Sequence, residues 1–153
     1  MADGPRDVLP TRAEFAVWRP MPTRWADNDQ YGHANNVVYY SWFDTAVNGW
    51  LMQAVGADVR DLPAIGIVAE TSCRFLSPVG FPDELAVGLR VDRLGRSSIT
   101  YGLAVFADGE DAPSAVGRFV HVYVDPATRR PVPVPDVVRD VASAITSGAS
   151  TAG

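Results

Sequence analysis

Apolar residues follow two rhythms along this chain. Between Val37 and Val55, Tyr40, Phe43, Val47, Trp50, Leu51 and Ala54 recur at steps of three and four, while Ser41, Asp44, Thr45 and Asn48 form the opposite stripe. That spacing predicts an amphipathic helix, opened by Asn35 or Asn36 as N-cap and ended at Gly56. Elsewhere the period is two. Leu85, Val87, Leu89 and Val91 alternate with polar residues, as do Ile99, Tyr101, Leu103 and Val105, with Leu94-Gly95-Arg96 between them as a tight connection. A third such run, Ser114 to Val124, sets Val116, Val120, Val122 and Val124 against Phe119, His121 and Tyr123. Ile65 to Leu76 is rich in β-formers and predicts a further strand. The stretch 13–25 predicts an edge strand, because Pro20 and Pro22 cannot donate to a central ladder. Val137 to Ile145 suits a short closing helix. One strand, one long helix and then three or four long antiparallel strands predict an α+β two-layer arrangement.

Length and composition narrow the setting. At 153 residues, 47% of them apolar and 20% charged, the chain is one domain over 13–145, with a disordered arm at 1–12 and a disordered tail at 146–153. A net charge of −5 argues against nucleic acid as a partner. The N-terminal residues lack the apolar segment of a secretory signal, and Ser41, Asp44, Asn48 and Gln53 interrupt the longest apolar run, so the expectation is a cytoplasmic protein without a membrane span. The single cysteine, Cys73, leaves no internal disulfide and reads as a buried structural thiol.

Chemistry concentrates in Arg24 to Asn36, where two carboxylates, an imidazole and two amides precede the helix. A helix N-terminus gathers unpaired N–H groups and partial positive charge, which can hold an oxyanion. Asp29 could attack a carbonyl or activate water; its plainer role is a turn cap. Asp27 suits turn support. His33 could orient Asp29 or share its proton, or bond backbone within the turn. His121, inside a strand pattern, reads as a hydrogen-bonded structural histidine, and the two histidines do not suggest a metal site. Asp44 suits a solvated face or a contact between subunits. The four tryptophans suit core or interface, and the arginines at 90, 93 and 96 a solvated edge, with Arg96, Ser97 and Ser98 as the best phosphate candidates.

Taken together, Asp27-Asn28-Asp29-Gln30-Tyr31-Gly32-His33-Ala34-Asn35-Asn36 and Tyr39-Tyr40-Ser41-Trp42-Phe43-Asp44 resemble hotdog-fold acyl-CoA thioesterases of the 4-hydroxybenzoyl-CoA thioesterase-like group. Phe75-Leu76-Ser77-Pro78-Val79, Arg93-Leu94-Gly95-Arg96-Ser97-Ser98 and Val124-Asp125-Pro126 continue the resemblance in order. It implies a hotdog fold, one long helix wrapped by an antiparallel sheet. It also implies homodimers joined edge to edge, often homotetramers, with active sites between protomers. By position it makes Asp29 the catalytic carboxylate, with His33 beside it, and Asn36 and Val37 the helix start that polarises the thioester carbonyl. Arg96, Ser97 and Ser98 fall where relatives often approach coenzyme A. The substrate implied is an acyl-CoA thioester, with no further cofactor and no metal.

A serine hydrolase is disfavoured, since no G-x-S-x-G elbow is present; neither a P-loop nor a G-x-G-x-x-G turn occurs. Two other readings keep the same fold: a non-catalytic acyl-CoA or acyl-carrier binding protein, and a hydratase acting on an enoyl thioester.

Overall fold

The structure, a computed structural model, describes residues 8–146. In order it contains strand β1 (Val17–Pro22), helix α1 (Asn36–Val55), strands β2 (Ile65–Phe75), β3 (Glu84–Leu94), β4 (Ser98–Ala107) and β5 (Ala115–Val124), and helix α2 (Asp136–Ser143). The strands form one antiparallel sheet in the order β1-β3-β4-β5-β2, and α1 lies along it, which is the hotdog arrangement.

The alternation in β3 and β4 places Leu85, Val87, Leu89 and Val91 with Ile99, Tyr101, Leu103 and Val105 under the helix, all of them buried. On β5 the residues that face the core are Phe119, His121 and Tyr123, while three of the four valines opposite are only half-buried. Gly117 lies on that inner face. A Cβ there would lie 2.3 Å from Phe43 Cε2, so glycine is what allows α1 to settle onto the middle of the sheet.

The buried stripe of α1 is wider than its period suggested and is rotated. Tyr39, Trp42, Phe43, Ala46, Val47, Trp50 and Leu51 are buried, whereas Tyr40 is half-buried and Ala54 exposed. A sheet that curls around the helix covers flanks that a flat sheet would leave to water, so Tyr39, Trp42 and Ala46 join the core. Ser41, Asp44 and Thr45 stay outside, as their stripe predicted.

Arg12 belongs to the folded unit. Its guanidinium donates to the carbonyls of Glu110 (2.7 Å) and Ala107 (3.1 Å) and lies over the rings of Trp18 and Phe106. Phe15, Trp18 and Phe106 meet edge to face there and cover part of the outer side of the sheet. At the other terminus, Thr146 bridges Val91 and its hydroxyl donates to Ala142 O. Residues 1–7 and 147–153, where most of the expected arm and tail lie, are outside the described residues.

β1 and β2 are the two edges. Pro20 and Pro22 sit on β1, where one side of the strand needs no partner. β2 is the unusual one: it has 11 residues, pairs only with β5, and none of its side chains is buried. A bulge between Val68 and Glu70 interrupts its ladder.

Candidate active site

The loop before α1 is closed on itself. Asn35 N–H donates to Asp27 O at 2.9 Å, Asn28 and Ala34 form a bridge, and Asp29 N–H donates to His33 O at 2.9 Å. Gly32 turns the tip with φ +86°, a left-handed conformation that residues with a Cβ seldom adopt. The loop is also tied to the chain ahead of β3, since Ala34 N–H donates to Val79 O and Phe81 N–H to Asn28 Oδ1.

The two carboxylates of the loop diverge. Asp27 is 1% exposed and is spent on structure: its oxygens accept from the Arg24 backbone N–H at 2.8 Å and from Arg24 Nε and Nη2 at 3.1 and 2.8 Å. Asp29 is only half-buried. Its Oδ1 accepts from Tyr31 N–H at 2.8 Å, which orients the carboxylate and leaves Oδ2 without a protein partner among the described residues.

Asn35 is the helix cap, with Oδ1 accepting from Val37 N–H at 3.1 Å. The first N–H groups of α1 are therefore unequal. Val37 donates to the cap and Val38 to Asn35 O, but among the described residues no acceptor faces the Asn36 N–H. Asn36 opens onto a cleft of about 310 Å³ that also contains Asp29, His33, Tyr39, Phe75 and Leu76. Tyr39 and Phe75 meet edge to face at 5.0 Å on its apolar wall, and burial holds the Tyr39 phenol above its ordinary pKa. Exposed Trp25 and Phe81 meet edge to face, with ring centroids 6.0 Å apart.

His33 is exposed and stacks on Tyr31 with centroids 6.5 Å apart. It meets Asp29 through its backbone, and no hydrogen bond joins their side chains. Cys73 is half-buried, and burial pushes its thiol up to about 11, so it stays protonated and is a poor nucleophile.

Arg96, Ser97 and Ser98 lie elsewhere. Their turn joins β3 to β4 at the end of the sheet where Ser98 pairs with Val122, whereas the cleft adjoins the opposite end, where Phe75 pairs with Ala115. At about 3.3 Å per residue that separation is roughly 25 Å within one chain. Arg139 Nη2 donates to two carbonyls of the turn, Gly95 O and Arg96 O, and Tyr123 N–H donates to a third, Ser97 O.

His121 departs from its expected state. It is buried in the core, as a structural histidine would be, but its Nδ1 has no hydrogen-bond partner, and neither do the hydroxyls of Tyr101 and Tyr123. Nothing in the alternation of β5 foretold this, because burial is legible from a period and pairing is not. Among the described residues no group of three or more His, Cys, Asp or Glu is placed to hold a metal ion, and no helix is long and apolar enough to cross a membrane.

Comparison with known proteins gives three kinds of likeness. A sequence profile described as the thioesterase-like superfamily matches residues 23–141. The PA5185 protein of Pseudomonas aeruginosa strain PAO1 is 47% identical in its crystal structure; the match covers 91% of this chain and 97% of that one, with a TM-score of 0.87. A thioesterase from Thermus thermophilus, crystallised with coenzyme A and zinc, is 32% identical, with 86% and 95% of the chains covered and a TM-score of 0.73. Among curated sequences, YsmA of Bacillus subtilis (strain 168) is 25% identical over 114 residues, which is 74% of this chain and 76% of YsmA.

Proposed function

The chain belongs to the thioesterase-like superfamily and is a thioester hydrolase; on that premise we propose that it cleaves an acyl-CoA thioester to the free acid and coenzyme A. One observation carries the reading: the half-exposed Asp29 carboxylate and the unpaired Asn36 N–H open into the same cleft. Hydrolysis needs attack at the thioester carbon and a donor for the oxygen that becomes negative. Asp29 Oδ2 supplies the attack, directly or by taking a proton from water. Asn36 N–H, at the positive end of a 20-residue helix, supplies the donor. The Val37 N–H is held by Asn35 and backs this donor by fixing the helix start. In this proposal His33, on the cleft wall, gives the leaving thiolate its proton. Water's oxygen ends on the acid and its two protons on the two products.

The oligomeric part of the proposal rests on β2. A strand of 11 residues with an open edge and no buried side chain is a template for another strand. Two copies pairing antiparallel through β2 would bring the Arg96-Ser97-Ser98 end of one protomer toward the Asp29 cleft of the other. This makes the site one shared within a homodimer, or within a homotetramer built from such dimers, and gives that turn a route to the coenzyme A phosphates.

The test is thiol release from a panel of acyl-CoAs. Asp29→Asn keeps an Oδ1 to accept from Tyr31 N–H, so the fold should persist while turnover falls about 10³-fold. Undiminished turnover in that variant removes Asp29 from the mechanism.

A further inference from the structure

The segment between β2 and β3 is a strap, anchored to the sheet at both ends and to the Asp29 loop in its middle. At its start, Leu76 and Ser77 both donate their N–H groups to Ser114 O, at 2.9 and 3.1 Å, and Ser114 N–H in turn donates to Val105 O of β4 at 2.7 Å. At its end Asp83 closes a turn. Its N–H donates to Gly80 O at 2.8 Å, its Oδ2 accepts from Gly80 N–H at 3.0 Å, and its carbonyl accepts from the Thr23 hydroxyl at 2.7 Å, one residue before β3 begins. Between these anchors the strap meets the loop twice. Val79, 4% exposed, accepts from Ala34 N–H at 2.7 Å, and Phe81 N–H donates to Asn28 Oδ1 at 3.0 Å.

Asn28 is half-buried and stands between the two carboxylates, with Asp27 clamped by Arg24 on one side and Asp29 on the other. Its side chain therefore ties to the strap the stretch of backbone that leads directly into Asp29. Gly80 shows how closely the two segments lie. A Cβ there would be 2.8 Å from Asn28 Oδ1, 3.1 Å from His33 Cα and 3.4 Å from Ala34 N. Two of those three atoms are backbone and cannot swing aside. Gly80 does not have a positive φ, so it is this close approach that calls for glycine. The bonds within the loop, Asp29 N–H to His33 O and Asn35 N–H to Asp27 O, set its shape. The strap sets where that shape stands on the sheet.

We propose that Asn28 and Gly80 are positioning residues for the reaction, which lock the loop onto the strap at 79–81 and so hold the Asp29 carboxylate in place relative to the Asn36 N–H. This rests on the hydrolytic reading above and adds to it the part of the chain that fixes its geometry. Neither residue lines the cleft, so neither touches the substrate. A reacting group displaced by about 1 Å can lose about 10²-fold in rate, and loosening the strap should therefore lower kcat while leaving the groups that bind substrate unchanged.

The test uses the full chain and the substrate that wild type hydrolyses fastest in a panel of acetyl-, hexanoyl-, palmitoyl- and benzoyl-CoA. Asn28→Ala removes the acceptor for Phe81 N–H and should lower kcat about 10- to 100-fold while KM stays within about threefold. Asn28→Asp keeps an oxygen in the same place and should bring turnover back to within about fivefold of wild type. Gly80→Ala should also lower kcat. The double variant should lose less than the product of the two single losses, because Asn28→Ala deletes an atom that obstructs the new Cβ. Asn28→Ala, which only deletes atoms, keeps the test valid if Gly80→Ala fails to fold. By NMR, amide exchange at Asp29 and Asn35 should quicken in Asn28→Ala and slow again in Asn28→Asp. Wild-type turnover with an unchanged kcat in Asn28→Ala overturns the positioning role alone, whatever happens to the melting temperature. So does unchanged exchange at Asp29 and Asn35, or no recovery in Asn28→Asp. Wild type that releases no thiol from any member of the panel overturns the hydrolytic reading, and the positioning role with it.

Discussion

Lowering the pH should destabilise this protein through a single buried imidazole. His121 is walled by Tyr101 and Phe119, whose rings meet it at 5.5 and 5.2 Å, and burial alone brings its pKa from 6.5 to about 4. The folded chain therefore favours the neutral ring, and the unfolded chain takes up a proton near the ordinary value. The stability that depends on a neutral His121 is complete above about pH 6.5 and is lost progressively as pH falls toward 4. Between pH 7 and pH 4.5 linkage gives a loss of about 2 kcal/mol, a large share of a typical domain's stability. Urea unfolding at half-unit pH steps, on wild type and His121→Gln, separates this from carboxylate titration, which both proteins share. The variant should lose about 2 kcal/mol less over that interval. Ring NMR should place the His121 midpoint near 4. A midpoint near 6.5, or equal pH slopes in the two proteins, would refute the argument.

Gly117→Ala should cost about 1–3 kcal/mol in urea unfolding, because its Cβ would enter the space of Phe43. Asn35→Ala should cost about 1 kcal/mol through loss of the helix cap. It should also lower acyl-CoA turnover if the helix start positions the oxyanion donor; full turnover with the stability loss would confine Asn35 to folding. Ala69→Pro falls at the bulge of β2, where the ladder to β5 is already interrupted, so the subunit should remain folded while its ring blocks an incoming strand. Sedimentation should then show a monomer, and an undisturbed dimer would move the interface away from β2.

The elements themselves were legible because their periods differ: 3.6 for α1, two for β3, β4 and β5. Strand order was not, since nothing in the β2 segment distinguishes an edge from a centre until its neighbours are known. Its β-forming composition predicted a strand but nothing of its exposure, and none of its side chains is buried. The stripe on α1 shifted for a related reason, because a one-helix period assumes one contact face and a curled sheet supplies more. In the loop, residue types offered both Asp29 and Asp27, the family resemblance favoured Asp29, and the structure adds that Arg24 consumes Asp27. The separation of Arg96 from Asp29 arises from the sheet ladder, whose register no short motif encodes.

The self-closing loop has a consequence for how such proteins can diversify. Its bonds at Asp27–Asn35, Asn28–Ala34 and Ala34–Val79 hold the base without help from the tip. Gln30 and Tyr31 are exposed and carry none of those bonds through their side chains. Changes there can reshape the tip of the loop while the helix start and the carboxylate keep their places. The architecture thus lets the tip vary in sequence without unfastening the base that carries Asp29 and the helix start.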